Sequence, residues 1–346
     1  MNFLLYLTLL TFILIFSNKF LINKNILLSE TGDRHQKFAS NEKVPLTGGI
    51  FLFLSFLFFF NHEILSFILF SFLILLLGIF SDLKNIKSAF NRLLIQISLV
   101  LSFVIFNDFQ LSNTKIFLLD KLLTYTIFNY FFVSFCILIV INGSNFFDGL
   151  NTLSAGYYLL ISLVINYLQQ ANHIYINEIF IDFILLVLVI TFFLNLFNKI
   201  YLGDSGSYLL GFTFSIFLIK IYIENPLISP FFIIVLLWYP SFETLFSIVR
   251  KNIMNKSPMR PDSNHLHQQV FQFIFKRKIF DKFYSNLLSA NLINLYNLII
   301  FTISVNFFSN SQIQVLLILL NISLYTFIYF KLFINRYKRQ FNWSTR

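Results

Sequence analysis

Five polar segments interrupt an otherwise apolar chain, and the residues in them could do chemistry together. They are Asp33–Lys37 with Val44–Gly49, Gly78–Leu83 with Lys84, Lys87 and Arg92 downstream, Asn142–Asn151, Asn195–Ser207, and Arg260–His267. Asp148 and Asp204 each stand at the edge of an apolar run, closely followed by Gly and by a hydroxyl or amide residue. A carboxylate at a membrane edge is costly unless paired or solvated, so it marks a site more often than it decorates a surface. A helix that starts beside it offers backbone N–H groups and a positive end to phosphate. Carboxylates to hold a cation, next to N–H groups to hold phosphate, are the equipment of Mg²⁺-dependent phosphoryl transfer. Helix capping accounts for Asp148 or Asp204 alone. It accounts less well for both together with Asp82 on a third segment.

The remaining segments read less sharply. His265 and His267 are two residues apart and share no helix face, so a zinc site on one helix is not expected. On a loop such a pair can hydrogen-bond a phosphate or a base, and Arg260 and Asp262 stand just upstream. A surface pair without a role remains open. Arg34, His35 and Lys37 offer donors to a diphosphate, while Gly48 and Gly49 suit either a ligand approach or close helix packing.

The elements that must position these residues are set by composition. Of 346 residues, 57% are apolar and only 12% charged, where a soluble domain carries roughly 25% charge. Mean hydropathy is +0.76. A soluble enzyme and a disordered chain are both excluded, and an all-α polytopic membrane protein is expected. Apolar runs place about eleven spans of bilayer-crossing character, near 3–17, 46–60, 64–80, 93–106, 127–141, 153–168, 179–194, 207–223, 227–248, 287–307 and 313–334. The first lacks the basic start of a signal peptide and reads as a retained span. The chain reads as one transmembrane domain over 1–346, with catalytic loops at about 18–45, 81–92, 142–152, 195–206 and 249–286. A lone cysteine, Cys136, excludes a disulfide framework.

Alternating loops then separate the charges. All of the 25 Lys and Arg except Lys115, Lys121 and Lys220 fall on one side, the side of all five polar segments. Basic residues are retained in the cytoplasm, so the N-terminus is expected outside, the C-terminus inside, and the site on the cytoplasmic face. The net charge of +10 therefore speaks for orientation and a lipid bilayer, not for nucleic acid. The basic stretch 250–286 reads as a loop with a surface helix, through lipid attraction or a direct role on an anionic substrate.

The five segments, in this order and on one face, resemble the polyprenyl-phosphate N-acetylhexosamine-1-phosphate transferases. These are integral membrane enzymes that start O-antigen, teichoic acid and peptidoglycan lipid intermediates. The resemblance covers about 30–270. It implies transfer of an N-acetylhexosamine 1-phosphate, GlcNAc-1-phosphate first among them, from a UDP-sugar to undecaprenyl phosphate, in a bacterial inner membrane. The cofactor it implies is Mg²⁺, with Mn²⁺ as a substitute, and a homo-oligomer is compatible with it. By the resemblance Asp204 is the principal metal ligand with Asp148 beside it. Asp82 is then the second carboxylate of an Asp-Asp pair, His265 and His267 form the His-rich loop, and Asn145, Asn195, Lys37, Gly48, Gly49 and Arg260 contact substrate.

The chain departs from the family pattern at four places. Ser81 stands where the first Asp of the pair is usual, Gln268 where a third His is frequent, and Asn151 where the peptidoglycan branch has Asp. The segment 195–199 before Asp204 lacks the common Pro-Ala. These departures favour the O-antigen or capsule type over a phospho-MurNAc-pentapeptide transferase. A non-catalytic scaffold or a transporter are the readings from other classes.

Overall fold

The computed structural model describes residues 3–29, 43–59, 65–255, 257 and 264–341. Lys37 and Arg260, with Asp33, Arg34, His35, His62 and Asp262, lie outside the described residues. Within them the chain is helical, with no strand beyond an isolated bridge between Leu28 and Pro45. A helix occupies each of the eleven expected segments, yet they are not equally spans. Eight helices are long and apolar enough to cross a membrane, or nine if one bent pair is counted, among the described residues.

The shortfall from eleven has physical causes. Helix α2 (Gly48–Phe56) has nine residues before a 3-10 turn at Leu57–Phe59, and nine residues rise only about 14 Å. Helix α7 (Leu153–Gln170) is long enough but carries Ser154, Ser162, Asn166, Gln169 and Gln170. The segment at 227–248 breaks into α10 (Pro230–Leu236) and α11 (Trp238–Ile253), bent by 75°. Pro240 sits in the first turn of α11, where its missing N–H leaves no intrahelical bond unmade.

Helix α9 (Gly203–Glu224) forms the axis, buried nearly throughout its first five turns. Around it pack α2, α3 (Leu65–Asp82) and α6 (Thr126–Phe147), while α4 (Ala89–Phe106) and α11 pack on α6. Helices α7, α8 (Glu178–Leu196) and α13 (Lys282–Val305) form the next layer. The short α5 (Phe117–Leu123) packs on α6, and α12 (Leu266–Phe275) lies against α13 and α14 (Ser311–Phe341). Close approach at the axis needs small residues: a Cβ on Gly78 of α3 would lie 2.2 Å from Ser205 Cα. Large apolar side chains such as Phe12, Phe16, Phe106, Ile127 and Phe131 remain exposed on the outside. In water such a belt would aggregate; in a bilayer it is the solvated surface. The protein is an all-α, multi-pass membrane protein.

Candidate active site

The C-terminal ends of α3 and α6 and the N-terminal ends of α4 and α9 meet at one end of the bundle, and their polar residues converge on Asp204. Asn145 Nδ2 donates to Asp204 Oδ1 at 2.7 Å and lies 3.2 Å from Ser207 Oγ. Ser81 Oγ donates to Oδ2 at 2.5 Å, and Arg92 Nη1 donates to the same oxygen at 3.0 Å. Arg92 Nη1 also donates to Ser81 Oγ at 2.5 Å. Ser88 caps α4 by accepting from the Asn91 N–H, which sets Arg92 one turn into the helix and level with the start of α9.

Asp82 caps the start of α9. Its Oδ1 accepts the Asp204 N–H at 2.9 Å and its Oδ2 the Ser205 N–H at 3.1 Å. The first N–H groups of a helix have no intrahelical partner, and Asp82 caps them from α3. Gly203 makes this approach feasible: it has φ +66°, and a Cβ there would meet Asp82 Oδ2 at 2.7 Å. The expectation that the start of α9 presents its N–H groups to phosphate is thereby corrected, because Asp82 takes two of them. The turn after Asp148 is similarly committed. Asn151 N donates to Asn286 Oδ1 and Thr152 N to Asn195 Oδ1. Asn195 also donates to Ile200 O at 3.0 Å, so it ties three segments together inside the protein.

Asp148 terminates α6 and lines a pocket with Leu46, Asn151, Tyr201 and Gly203. Burial, and then the charges of Asp204 and Asp82, hold its carboxyl well above the usual carboxylate range. The three acids are thus within one another's field, a disposition that a cation would relieve. No group of three His, Cys, Asp or Glu side chains converges on a metal position among the described residues. Mg²⁺ does not require one, since it is commonly held by one or two carboxylates with phosphate oxygens and waters. Asp204 Oδ1 receives a single donor and retains a lone pair. The donor set of Asp204 and Asp148 therefore fits a hard cation.

Gly48 and Gly49 are brought to the start of α9. A Cβ on Gly48 would lie 2.9 Å from Leu202 Cα, and one on Gly49 would lie 2.6 Å from Gly206 N. Both are buried, and the packing explanation accounts for them. His265 and His267 stand at the start of α12 with rings near-parallel and centroids 5.8 Å apart. His265 lies on the Phe146 ring at 5.3 Å, and a Cβ on Gly149 would meet His267 Nε2 at 2.6 Å. The histidine pair thus docks along 146–149, the segment that joins Asn145 to Asp148. Of the basic stretch expected at the surface, Arg250 and Lys251 are buried instead, with Lys251 Nζ 5.7 Å from the Phe146 centroid.

Sequence reasoning assigned no role to Arg92, Ser207 or Glu243. For Arg92 a signal existed: it is a charge entering an apolar run, and such charges need a partner. Nothing in the spacing pairs it with Asp204, 112 residues away.

The profile of glycosyl transferase family 4 matches residues 64–222, the stretch that contains Ser81, Asp82, Arg92, Asn145, Asp148, Asn195 and Asp204. Over that stretch the chain is similar to glycosyl transferase family 4. Among curated relatives it is 32% identical over 137 residues to the probable undecaprenyl-phosphate N-acetylglucosaminyl 1-phosphate transferase of Bacillus subtilis, covering 39% of this chain and 38% of that one. It is 31% identical over 154 residues to the decaprenyl-phosphate N-acetylglucosaminephosphotransferase of Mycolicibacterium smegmatis, covering 38% of each. The undecaprenyl-phosphate alpha-N-acetylglucosaminyl 1-phosphate transferase of Thermotoga maritima is 29% identical over 237 residues, 68% of this chain and 69% of that one. The chain thus spans well under half the length of the first two relatives. The histidine pair and Glu243 fall beyond the stretch that the profile matches.

Proposed function

We propose that the chain transfers an N-acetylhexosamine 1-phosphate, GlcNAc-1-phosphate first, from a UDP-sugar to undecaprenyl phosphate. The products are undecaprenyl-diphospho-sugar and UMP, and the step opens assembly of a cell-surface polysaccharide. The observation that carries this reading is the convergence of Ser81, Arg92 and Asn145, from three helices, on the carboxylate of Asp204. The relatives' names agree with it: each is a polyprenyl-phosphate N-acetylglucosamine phosphate transferase.

A phosphate monoester has a second pKa of about 6, so the lipid phosphate is largely dianionic near neutral pH and already nucleophilic. Its oxygen attacks the β-phosphorus of the UDP-sugar. The bond between that phosphorus and the bridging oxygen breaks, and UMP leaves with the bonding pair. Catalysis then needs alignment and charge neutralisation more than a strong base. That requirement is met without a carboxylate at position 81. Arg92, ion-paired with Asp204, is placed to neutralise developing charge on the diphosphate. Mg²⁺, held by Asp204 and Asp148, would offset the charge of the phosphate oxygens and orient them. Asp82 and Asn145 hold the Asp204 carboxylate in place. With the basic loops as guide, the site faces the cytoplasm of a bacterial inner membrane, the N-terminus outside and the C-terminus inside.

The test is UMP release by membranes containing the protein, given UDP-GlcNAc, Mg²⁺ and undecaprenyl phosphate. Release that depends on the lipid, stops in EDTA and is lost in Asp204→Asn supports the reading. Folded protein that releases no UMP with any UDP-hexosamine overturns it.

A further inference from the structure

The chain passes from α6 to α7 through 148–152, and the turn chemistry there is unusual. The Leu153 N–H donates to Leu150 O at 3.2 Å and closes a β-turn with Asn151 and Thr152 at its centre. Thr152 has φ +68° and ψ −6°, the values of the third residue of a type II turn, where Gly or Asn is usual. A β-branched side chain in this left-handed region is strained, and among the described residues no other β-branched side chain has a positive φ. Such strain persists only where the surroundings over-determine the backbone.

The surroundings here are three asparagine side chains from outside the turn. Asn195 Oδ1 of α8 accepts the Thr152 N–H, and Asn286 Oδ1 of α13 accepts the Asn151 N–H at 2.9 Å. About two turns further along α13, Asn294 Nδ2 donates to Thr152 O at 3.2 Å and to Leu153 O at 3.3 Å. Asn195 and Asn294 therefore hold the two peptide planes that flank Thr152, and its φ and ψ with them. Asn294 is buried and its Oδ1 has no partner. Burying an amide with its acceptor unused is costly, and the bonds to the turn are what offset it. Gly156 lets the amide in: a Cβ there would meet Asn294 Nδ2 at 2.5 Å.

The linker held in this way begins with Asp148, and Asp148, Gly149, Leu150 and Asn151 line the pocket beside Gly203. We propose that Asn294 is a positioning residue. With Asn195 it keeps Thr152 left-handed, and the turn so fixed sets the Asp148 carboxyl that would hold the divalent cation. The cation rests on the transferase reading; the hold on Thr152 does not.

Relief of strain tests the hold. Glycine takes up φ +68° without a side-chain clash, so a turn carrying Thr152→Gly needs the clamp less. In detergent, Asn294→Leu is expected to lower the melting temperature of the wild-type chain and to lower it less than half as much in the Thr152→Gly background. Equal losses in the two backgrounds overturn the proposal. If Asn294→Leu alone does not fold, Thr152→Gly is expected to restore folding, and failure to restore it overturns the proposal likewise.

Mn²⁺ titration, followed by the paramagnetic resonance signal of the free ion, reads the position of Asp148 on folded protein without turnover. Asn294→Leu is expected to weaken Mn²⁺ about tenfold, the worth of one hydrogen bond, and Thr152→Gly to restore most of it. A merely structural role would lower stability and leave the affinity of the folded protein unchanged, which overturns the link to Asp148. Wild type that binds no Mn²⁺ overturns that link as well. Wild type that binds Mn²⁺ but releases no UMP with any UDP-hexosamine removes the transferase reading and leaves the positioning role standing.

Discussion

Asp82 at the end of α3 caps the helix that carries Asp204, accepting the Asp204 and Ser205 N–H groups on its two oxygens. The orientation of one acid is thus set by the other, through the backbone and not through a shared ligand. Removing the cap by Asp82→Ala should cost about 0.5–2 kcal/mol and lower turnover because Asp204 loses its fixed position. Asp82→Asn keeps one acceptor and should fall between. Thermal unfolding in detergent and UMP release, measured on the same preparations, check the two effects together.

Arg92 and Asp204 form a partly buried ion pair at 3.0 Å. In Arg92→Gln the carboxylate keeps Asn145 and Ser81 but loses its cation, and the diphosphate loses a neutralising charge. Turnover should drop by about 10²–10³, the scale of removing one donor aimed at developing charge. Arg92→Lys should recover part of this, because a point charge does not reproduce the two contacts that Nη1 makes with Ser81 and Asp204. Steady-state rates across the three proteins give the comparison.

Ser81 donates to Asp204 Oδ2, so Ser81→Asp sets a carboxylate against a carboxylate. In EDTA the variant should melt several degrees below wild type, through like-charge repulsion at contact distance. Mg²⁺ should recover more stability for it than for wild type. Melting curves against Mg²⁺ concentration decide this without any assay of turnover.

The Asp148 carboxyl is raised by burial first and by Asp204 and Asp82 next. An acid with a raised folded pKa opposes folding most fully above that value, and the opposition shrinks as pH falls below it and is gone at the ordinary carboxylate value. Without divalent cation, Asp148→Asn should therefore melt above wild type at pH 7.5. The advantage should shrink as the pH is lowered toward the ordinary carboxylate value. The same variant should be inactive, so stability and activity move in opposite directions. Unfolding at two pH values in EDTA tests the sign.

The helical, membrane-embedded class and the segments that meet at the site were legible because apolar periodicity and isolated acids are local signals. Asp148, Asp204 and Asn145 stood out as polar residues at apolar edges, and the structure groups them. What each carboxylate does was not legible. Asp82 caps a helix 122 residues away, a relation with no signature in spacing. The packing of Gly78 against Ser205, which brings α3 and α9 close enough for that cap, is likewise invisible in either segment alone. Glu243 was hidden for a related reason: it lies in a run whose break at Leu237 turns it inward, and its partner Tyr325 is 82 residues further on. Helices α2 and α7 fall short of a lone span in length or apolarity among the described residues, and both are buried among neighbouring helices.

The contact of Gly149 with His267 joins the stretch matched by the family profile to the part of the chain beyond it, and so does Gly143, where a Cβ would lie 2.0 Å from the Pro240 carbonyl oxygen. Heritable change on either side of this seam is coupled. A larger residue at 143 or 149 demands a matching retreat at 240 or 267, so the two parts must drift in step. A chimera that joins the first part to a relative's second part inherits a working junction only when both pairs are carried across together.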